Sequence, residues 1–284
     1  MKSRSVILMI LALSCLAVLL SSVPQVIALV DRELFSERLR DIRAELFHSE
    51  TWNQIPQLAP DLDYSWLQGP YPLRIGHALG AADSRDANEL SALPAARAAK
   101  LKVLEVDIWL ADDQTLRCFH GPGDPGPLLA TTCTLERLIE ATEPWQPWIV
   151  LDIKTDFSAT SNAVAQYLKR HQEVSRRVIF QLYRPENVST FKGLSSQFPL
   201  PGPIVTAYMS YSSLNTVARS AARAGVRVVT VPFYRSAALT SLPPGMRAMI
   251  HPVRSCDQQR IAESRQFVGV YTLSSLVCKA NNAH

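Results

Sequence analysis

Three acids, one lysine and two histidines stand out for their types and their spacing. His77 lies in RIGHALG (74–80), Glu105 and Asp107 in LEVDIWL (104–110), and His120 in LRCFHGPGD (116–124). Asp152 and Lys154 follow in LDIKTD (151–156). Carboxylates on strand-like segments are costly to bury without compensation. A hard divalent cation, Mg2+ or Ca2+, compensates them and keeps positions open for water and phosphate. Imidazole titrates near neutrality, so one histidine can accept a proton while the other donates one. Metal, acid and base together are machinery for breaking a phosphate ester. The plainer alternative is a buried salt-bridge network around Lys154, which would neutralise one acid and strand two. His251, in IHPV, is a further candidate for substrate contact, whereas His48, His171 and His284 read as surface or terminal residues.

These residues need elements to position them. Strand-like runs occur at 73–79, 102–110, 147–155, 177–184, 203–210, 226–234, 246–253 and 267–274. Helix-like runs at 89–100, 135–142, 161–174, 185–194, 212–224 and 257–265 separate most of them, and Gly225 is placed to cap one. Eight strands alternating with helices predict a (β/α)8 TIM barrel. One further strand-like run, 115–121, follows the turn signal at 111–114 and is expected to return as a β-hairpin over the barrel mouth.

Barrel strands turn alternate residues inward. Glu105, Asp107 and Trp109 then share one face, and Asp152 shares one with Lys154. Active sites of this fold lie at the C-terminal ends of the strands, where these residues and His77 fall. Trp109 would stack on a substrate or cap the core. Gln181 and Tyr183 share a face and are expected either to reach the substrate or to hydrogen-bond within the core. Asn88 is placed to cap the helix that follows it. Asn187-Val188-Ser189 forms a glycosylation sequon.

The chain has 284 residues, 47% hydrophobic and 19% charged, enough for one large domain or two small ones. Residues 1–28 read as a signal peptide: Lys2 and Arg4 precede an apolar run, and small residues stand near Ala28. An uncleaved membrane anchor is the alternative. Residues 29–72 hold one amphipathic helical stretch, 31–47, and a Pro-rich connection; 73–284 form the main domain. The formal charge of +4 falls to +2 without Lys2 and Arg4, and no basic stripe interleaves with aromatics, so nucleic acid is not an expected partner. Loss of Cys15 with the signal leaves Cys118, Cys133, Cys256 and Cys278. An even count in an exported chain predicts two disulfides, with local pairing expected; four buried thiols are the alternative. The expected location is secreted or periplasmic, or anchored and facing out of the cytoplasm.

In order and spacing, the first histidine block, the Glu-x-Asp strand, the FHG histidine and the Asp-x-Lys strand resemble the glycerophosphodiester phosphodiesterase family of the phospholipase C-like superfamily, from about residue 73 to 275. The resemblance implies the barrel and one Mg2+ or Ca2+ ion. By motif, Glu105, Asp107 and Asp152 match the metal ligands, His77 and His120 the acid/base pair, and Lys154 a lysine near the phosphate. Two positions depart from the family pattern. His77-Ala78 stands where His-Arg is usual, so a phosphate-binding arginine is missing, and Asp86-Ala87-Asn88 stands where Pro-Glu-Asn is usual. HALG, FHGPGD and LDIKTD are similar to the sphingomyelinase D branch. The implied activity is metal-dependent cleavage of a glycerophosphodiester or a (lyso)phospholipid-type substrate. Two alternatives stand beside it: a degenerate barrel binding a phospholipid headgroup or partner, and a metal-independent phospholipase C. Trp52, Trp66 and Trp109 are the candidates for transient contact with a membrane surface. The sequence carries no signal for an oligomeric state.

Overall fold

The computed structural model describes residues 55–69, 71–82, 85–122, 131–207, 212–239, 241–276 and 278. The expected signal segment and the 31–47 helix lie outside them. The architecture is the (β/α)8 barrel. Strands β1 (Leu73–Gly76), β2 (Val103–Leu110), β4 (Trp148–Ile153), β5 (Val178–Leu182), β6 (Ile204–Thr206), β7 (Val228–Pro232), β8 (Arg247–Val253) and β9 (Gly269–Thr272) are parallel neighbours in that order. The ring closes because β1 pairs with both β2 and β9. Strand β3 (Leu116–Cys118) pairs antiparallel with β2, as the expected hairpin return, and Arg117 forms an isolated antiparallel bridge with Thr134.

Helices α1 (Leu93–Ala98), α2 (Leu135–Thr142), α3 (Phe157–Arg170), α4 (Pro185–Ser195), α5 (Leu214–Arg223) and α6 (Cys256–Ser264) lie between strands. Side-chain caps set several of their starts. Helix α3 begins four residues before its expected start because the Asp156 carboxylate accepts the Ala159 N–H at 2.8 Å. Ser213 does the same for α5, and Gly225, at φ +87°, ends the Ala/Arg-rich stretch as expected. The segment between β7 and β8 is a 3-10 turn, Phe233–Ala238, and not an α-helix. Asn187 is buried, and its side-chain oxygen accepts the N–H groups of Tyr183 and Arg184. The sequon asparagine therefore serves the start of α4.

The inward residues of the lower barrel are apolar: Leu73, Ile75, Val103, Val150, Ile179, Ile204, Val228 and Met249 are all buried. Each such side chain contributes about 1.5–3 kcal/mol. The N-terminal connection plugs this end. Trp66 is 1% exposed, and its Nε1–H donates to Gly202 O at 3.3 Å. Tyr64 Oη donates to Pro203 O and accepts the Arg227 N–H. A Cβ on Gly202 would stand 2.2 Å from the Tyr64 ring, so only glycine fits beneath it. Trp66 is thus a core residue, which corrects its reading as a lipid-surface contact.

Two disulfides pair locally, Cys118–Cys133 and Cys256–Cys278. Closing loops of 15 and 22 residues contributes about 3 kcal/mol each. Such bonds are characteristic of an oxidising compartment. Among the described residues, no helix is long and apolar enough to cross a membrane.

The plug gives a stability test. Trp66→Ala is expected to lower the unfolding free energy by about 3–5 kcal/mol, read from urea titration. A change within the error of that titration would mean that the connection is an appendage and not part of the core.

Candidate active site

The opposite, C-terminal end of the barrel is polar. Inward phase on β2 places Glu105 and Asp107 above Val103, and on β4 places Asp152 above Val150. All three acids are buried, at 1%, 3% and 4% exposure, with ligand oxygens within 4.8 Å of one another. Asp107 and Asp152 are directly paired in the β2–β4 register.

Each acid is held by a different device. Asp107 Oδ2 accepts from Asn88 Nδ2 at 2.7 Å, and the Asp107 N–H returns a bond to Asn88 Oδ1 at 3.0 Å. Asn88 therefore orients an acid and does not cap the following helix as expected. Glu105 Oε2 accepts the Ala78 N–H at 2.8 Å. That bond depends on an unusual turn. The first strand was expected to run to residue 79 but ends at Gly76, because Ala78 (φ 48°), Leu79 (φ 65°) and Gly80 (φ 74°) are all left-handed. Left-handed Ala and Leu are strained, and the turn aims the 78 amide at the acid.

Asp152 Oδ2 accepts from Lys154 Nζ at 2.7 Å and from Tyr183 Oη at 2.7 Å. Behind Tyr183, Gln181 Nε2 donates to Tyr183 Oη at 2.8 Å, and Tyr271 Oη donates to Gln181 Oε1 at 3.0 Å. Of the two readings expected for Gln181 and Tyr183, the hydrogen bonds match the one within the core: they form a relay supporting an acid. Burial, with the Asp152 charge adding, raises the Tyr183 pKa well above its ordinary value, so the phenol keeps its proton and donates. Tyr271 escaped the sequence reading, although it lies on the inward phase of β9.

Lys154 bridges Asp152 and Asp107, the latter at 3.0 Å. Burial alone would lower its pKa, but Asp152, Asp107 and Glu105 outweigh that and raise it. The lysine stays charged, with two of its three N–H groups committed. One ammonium against three carboxylates leaves two negative charges uncompensated. Burial, then Asp107 and Asp152, pushes the Glu105 pKa well above the carboxylate range. Burial also pushes Asp152 up to about 6 against the pull of Lys154. Asp152 Oδ1 is buried and, among the described residues, has no hydrogen-bond partner. An orphaned carboxylate oxygen in an all-oxygen, doubly negative cluster fits a hard divalent cation.

The histidines gather above the acids. His77 and His251 meet edge to face at 4.6 Å, and His251 meets Tyr271 at 4.9 Å. Burial is the main effect lowering the His77 pKa; Asp107 opposes it, while Lys154, Arg254 and His120 add to it. Burial and the neighbouring His77 hold His251 well below its ordinary value. Both rings are therefore neutral at neutral pH. His120 is exposed on the hairpin return. Its loop is anchored by the Phe119 N–H to Asp107 O bond at 3.0 Å and by the disulfide at Cys118. Trp109 packs edge to face on Phe119 at 5.6 Å, and a Cβ on Gly121 would meet its ring at 3.1 Å. Trp109 thus shapes the hairpin carrying His120. A separate cavity of about 760 Å³ opens beside the plug, lined by Tyr64, Tyr71, Arg227 and Arg247 among others, and contains none of the acids or histidines.

Two outcomes are expected. In the metal-free protein, the raised pKa values of Asp152 and Glu105 mean that the folded state binds more protons than the unfolded state. Stability is then present below the ordinary carboxylate pKa and is lost as pH rises through about 6 and beyond. A cation that binds the ionised acids offsets that loss. The Tm gain on adding Mg2+ or Ca2+ should therefore be larger at pH 8 than at pH 5, and a gain equal at both pH values would count against the cluster as the cation site. Tyr183→Phe removes one donor from Asp152 and should weaken cation affinity roughly 10- to 100-fold by calorimetric titration; unchanged affinity would make the relay structural only.

No family model matches the chain, and no curated protein matches it. Solved structures do. A phosphodiesterase from Oleispira antarctica, in complex with the product sn-glycerol-3-phosphate, aligns with TM-score 0.54 and 14% identity over 71% of this chain and 92% of its own. A glycerophosphodiester phosphodiesterase from Parabacteroides distasonis aligns with TM-score 0.53 and 13% identity over 70% and 92%. One from Thermotoga maritima aligns with TM-score 0.51 and 18% identity over 72% and 96%. At these identities the likeness establishes a shared barrel fold.

Proposed function

We propose that this protein is an exported phosphodiesterase that cleaves a glycerophosphodiester or (lyso)phospholipid-type substrate with one Mg2+ or Ca2+ ion. The observation that carries the reading is the buried cluster of Glu105, Asp107 and Asp152, with ligand oxygens within 4.8 Å and a charge that one lysine does not balance. Support also comes from the barrel neighbours, of which the Oleispira antarctica phosphodiesterase holds sn-glycerol-3-phosphate. The two disulfides favour the exported location.

Glu105, Asp107 and Asp152 would hold the ion, which when bound supplies Lewis-acid stabilisation of charge on a non-bridging phosphate oxygen. Lys154 keeps the two aspartates apart and in place, and its third N–H remains to donate toward the phosphate. His77, kept neutral by burial, takes the proton from the nucleophile, a water or a neighbouring substrate hydroxyl. His120, on the exposed side, donates its proton to the leaving alkoxide as the phosphorus–oxygen bond breaks. A hydroxyl on the substrate as nucleophile would yield a cyclic phosphate first. Gln181 and Tyr183 hold Asp152 from behind, and His251 fixes the His77 ring edge on.

Phosphorus NMR on glycerophosphocholine, lysophosphatidylcholine and sphingomyelin, with Mg2+ or with chelator, tests the reading. Turnover of at least one diester, lost on chelation, is expected. His77→Ala and His120→Ala should each lower kcat roughly 100- to 10,000-fold. Undiminished turnover by His120→Ala would remove it from the mechanism. Activity surviving complete chelation would favour a metal-independent two-histidine enzyme. Absence of turnover on the whole panel, with cation binding intact, would favour a degenerate barrel that binds without cleaving.

A further inference from the structure

The barrel mouth carries a cation that this mechanism leaves unused. On β8, Met249 faces the barrel interior and Ile250 the surrounding helical layer. Strict alternation would turn Val253 inward and Arg254 outward. The pairing with β9 breaks that alternation. Ile250 pairs with Val270 and Val253 with Thr272, so His251 and Pro252 together stand opposite Tyr271. This is a β-bulge, and bulges re-aim side chains beside active sites. Val253 accordingly packs into the outer layer, at 1% exposure. Arg254 inherits the inward phase, three residues after His251 and at the C-terminal end of the barrel.

Its setting suits an anion. The Arg254 backbone N–H is fixed by Gln258 Oε1 at 2.7 Å. Its side chain is exposed, and among the described residues the guanidinium has no hydrogen bond or ion pair. Its charge reaches both His77 and His251, disfavouring protonation of each. The other cation at the centre, Lys154, is committed to Asp107 and Asp152. Position 78, beside His77, is a buried alanine and offers no charge. A guanidinium presents paired N–H donors that match phosphate oxygens.

We infer that Arg254, turned into the barrel mouth by the bulge in β8, binds the phosphate of the substrate. The inference rests on the phosphodiesterase reading for its substrate class, and the test separates the two. Calorimetric titration of the full chain with sn-glycerol-3-phosphate, in Mg2+, compares wild type with Arg254→Ala, Arg254→Lys and the control Arg260→Ala. Arg260 lies on α6, the helix that follows Arg254, and pairs with Asp257. Arg254→Ala should weaken binding roughly 10- to 100-fold, the loss expected for a charge-assisted bond. Arg254→Lys should recover part of it, and Arg260→Ala should match wild type. Equal weakening by Arg254→Ala and Arg260→Ala would mean that net charge alone acts, and would overturn the inference. So would unchanged affinity in Arg254→Ala, or no binding by wild type. Arg254-dependent binding with no diester cleavage leaves the inference standing and removes the phosphodiesterase reading. Diester cleavage with wild-type kcat/KM in Arg254→Ala does the reverse.

Discussion

Three buried carboxylates crowded around one ammonium govern the upper half of this barrel. Glu105, Asp107 and Asp152 lie within 4.8 Å, while the single nearby ammonium serves only the two aspartates. Like charges at that separation in a medium of low dielectric repel strongly. The protein answers with donors: an asparagine on Asp107, a backbone amide on Glu105, a tyrosine and a lysine on Asp152. Among the described residues these donors still leave Asp152 Oδ1 without a partner. A cluster so arranged is at its most favourable when a cation completes it.

That requirement reaches outward through the fold. The Ala78 amide reaches Glu105 only because residues 78–80 are left-handed in succession, a conformation that barrel closure around them must sustain. The Tyr271–Gln181–Tyr183 relay crosses the barrel interior from β9 to Asp152 on β4. The apolar lower barrel, sealed by Trp66 and Tyr64, supplies the rigid ring on which these polar contacts keep their distances. The apolar core and the buried acids are thus divided between the two ends of the same strands, and the acids lie at the C-terminal end.

Above the acids, environment separates histidines of equal chemistry. His77 and His251 are packed against each other and lose proton affinity through burial, whereas His120 rides on an exposed hairpin return tied by a disulfide. The hairpin's fit to the mouth depends on Gly121 lying against Trp109, so the tryptophan acts on the site through the loop it supports.

Local periodicity made much of this legible. Alternation along β2 and β4 places Glu105, Asp107 and Asp152 inward, and the spacing of eight strand-like runs dictates a barrel, because both patterns are set by neighbours in the chain. Cysteine count and local spacing likewise led to the two disulfides. Local pattern could not reveal contacts made by closure. Asn88 looks like a helix cap until Asp107, 19 residues away, is placed beside it. Gln181 and Tyr183 read equally as substrate contacts and as hydrogen-bonders within the core until Asp152 and Tyr271, the latter 90 residues from Gln181, are placed beside them. The first strand looks longer than it is, because left-handed Ala and Leu have no sequence signature, and the bulge that reverses the phase of Arg254 has none either. Residue type and period are properties of a segment and so belong to the sequence; partners, strained turns and register slips are properties of the closed ring, and only the tertiary structure decides them.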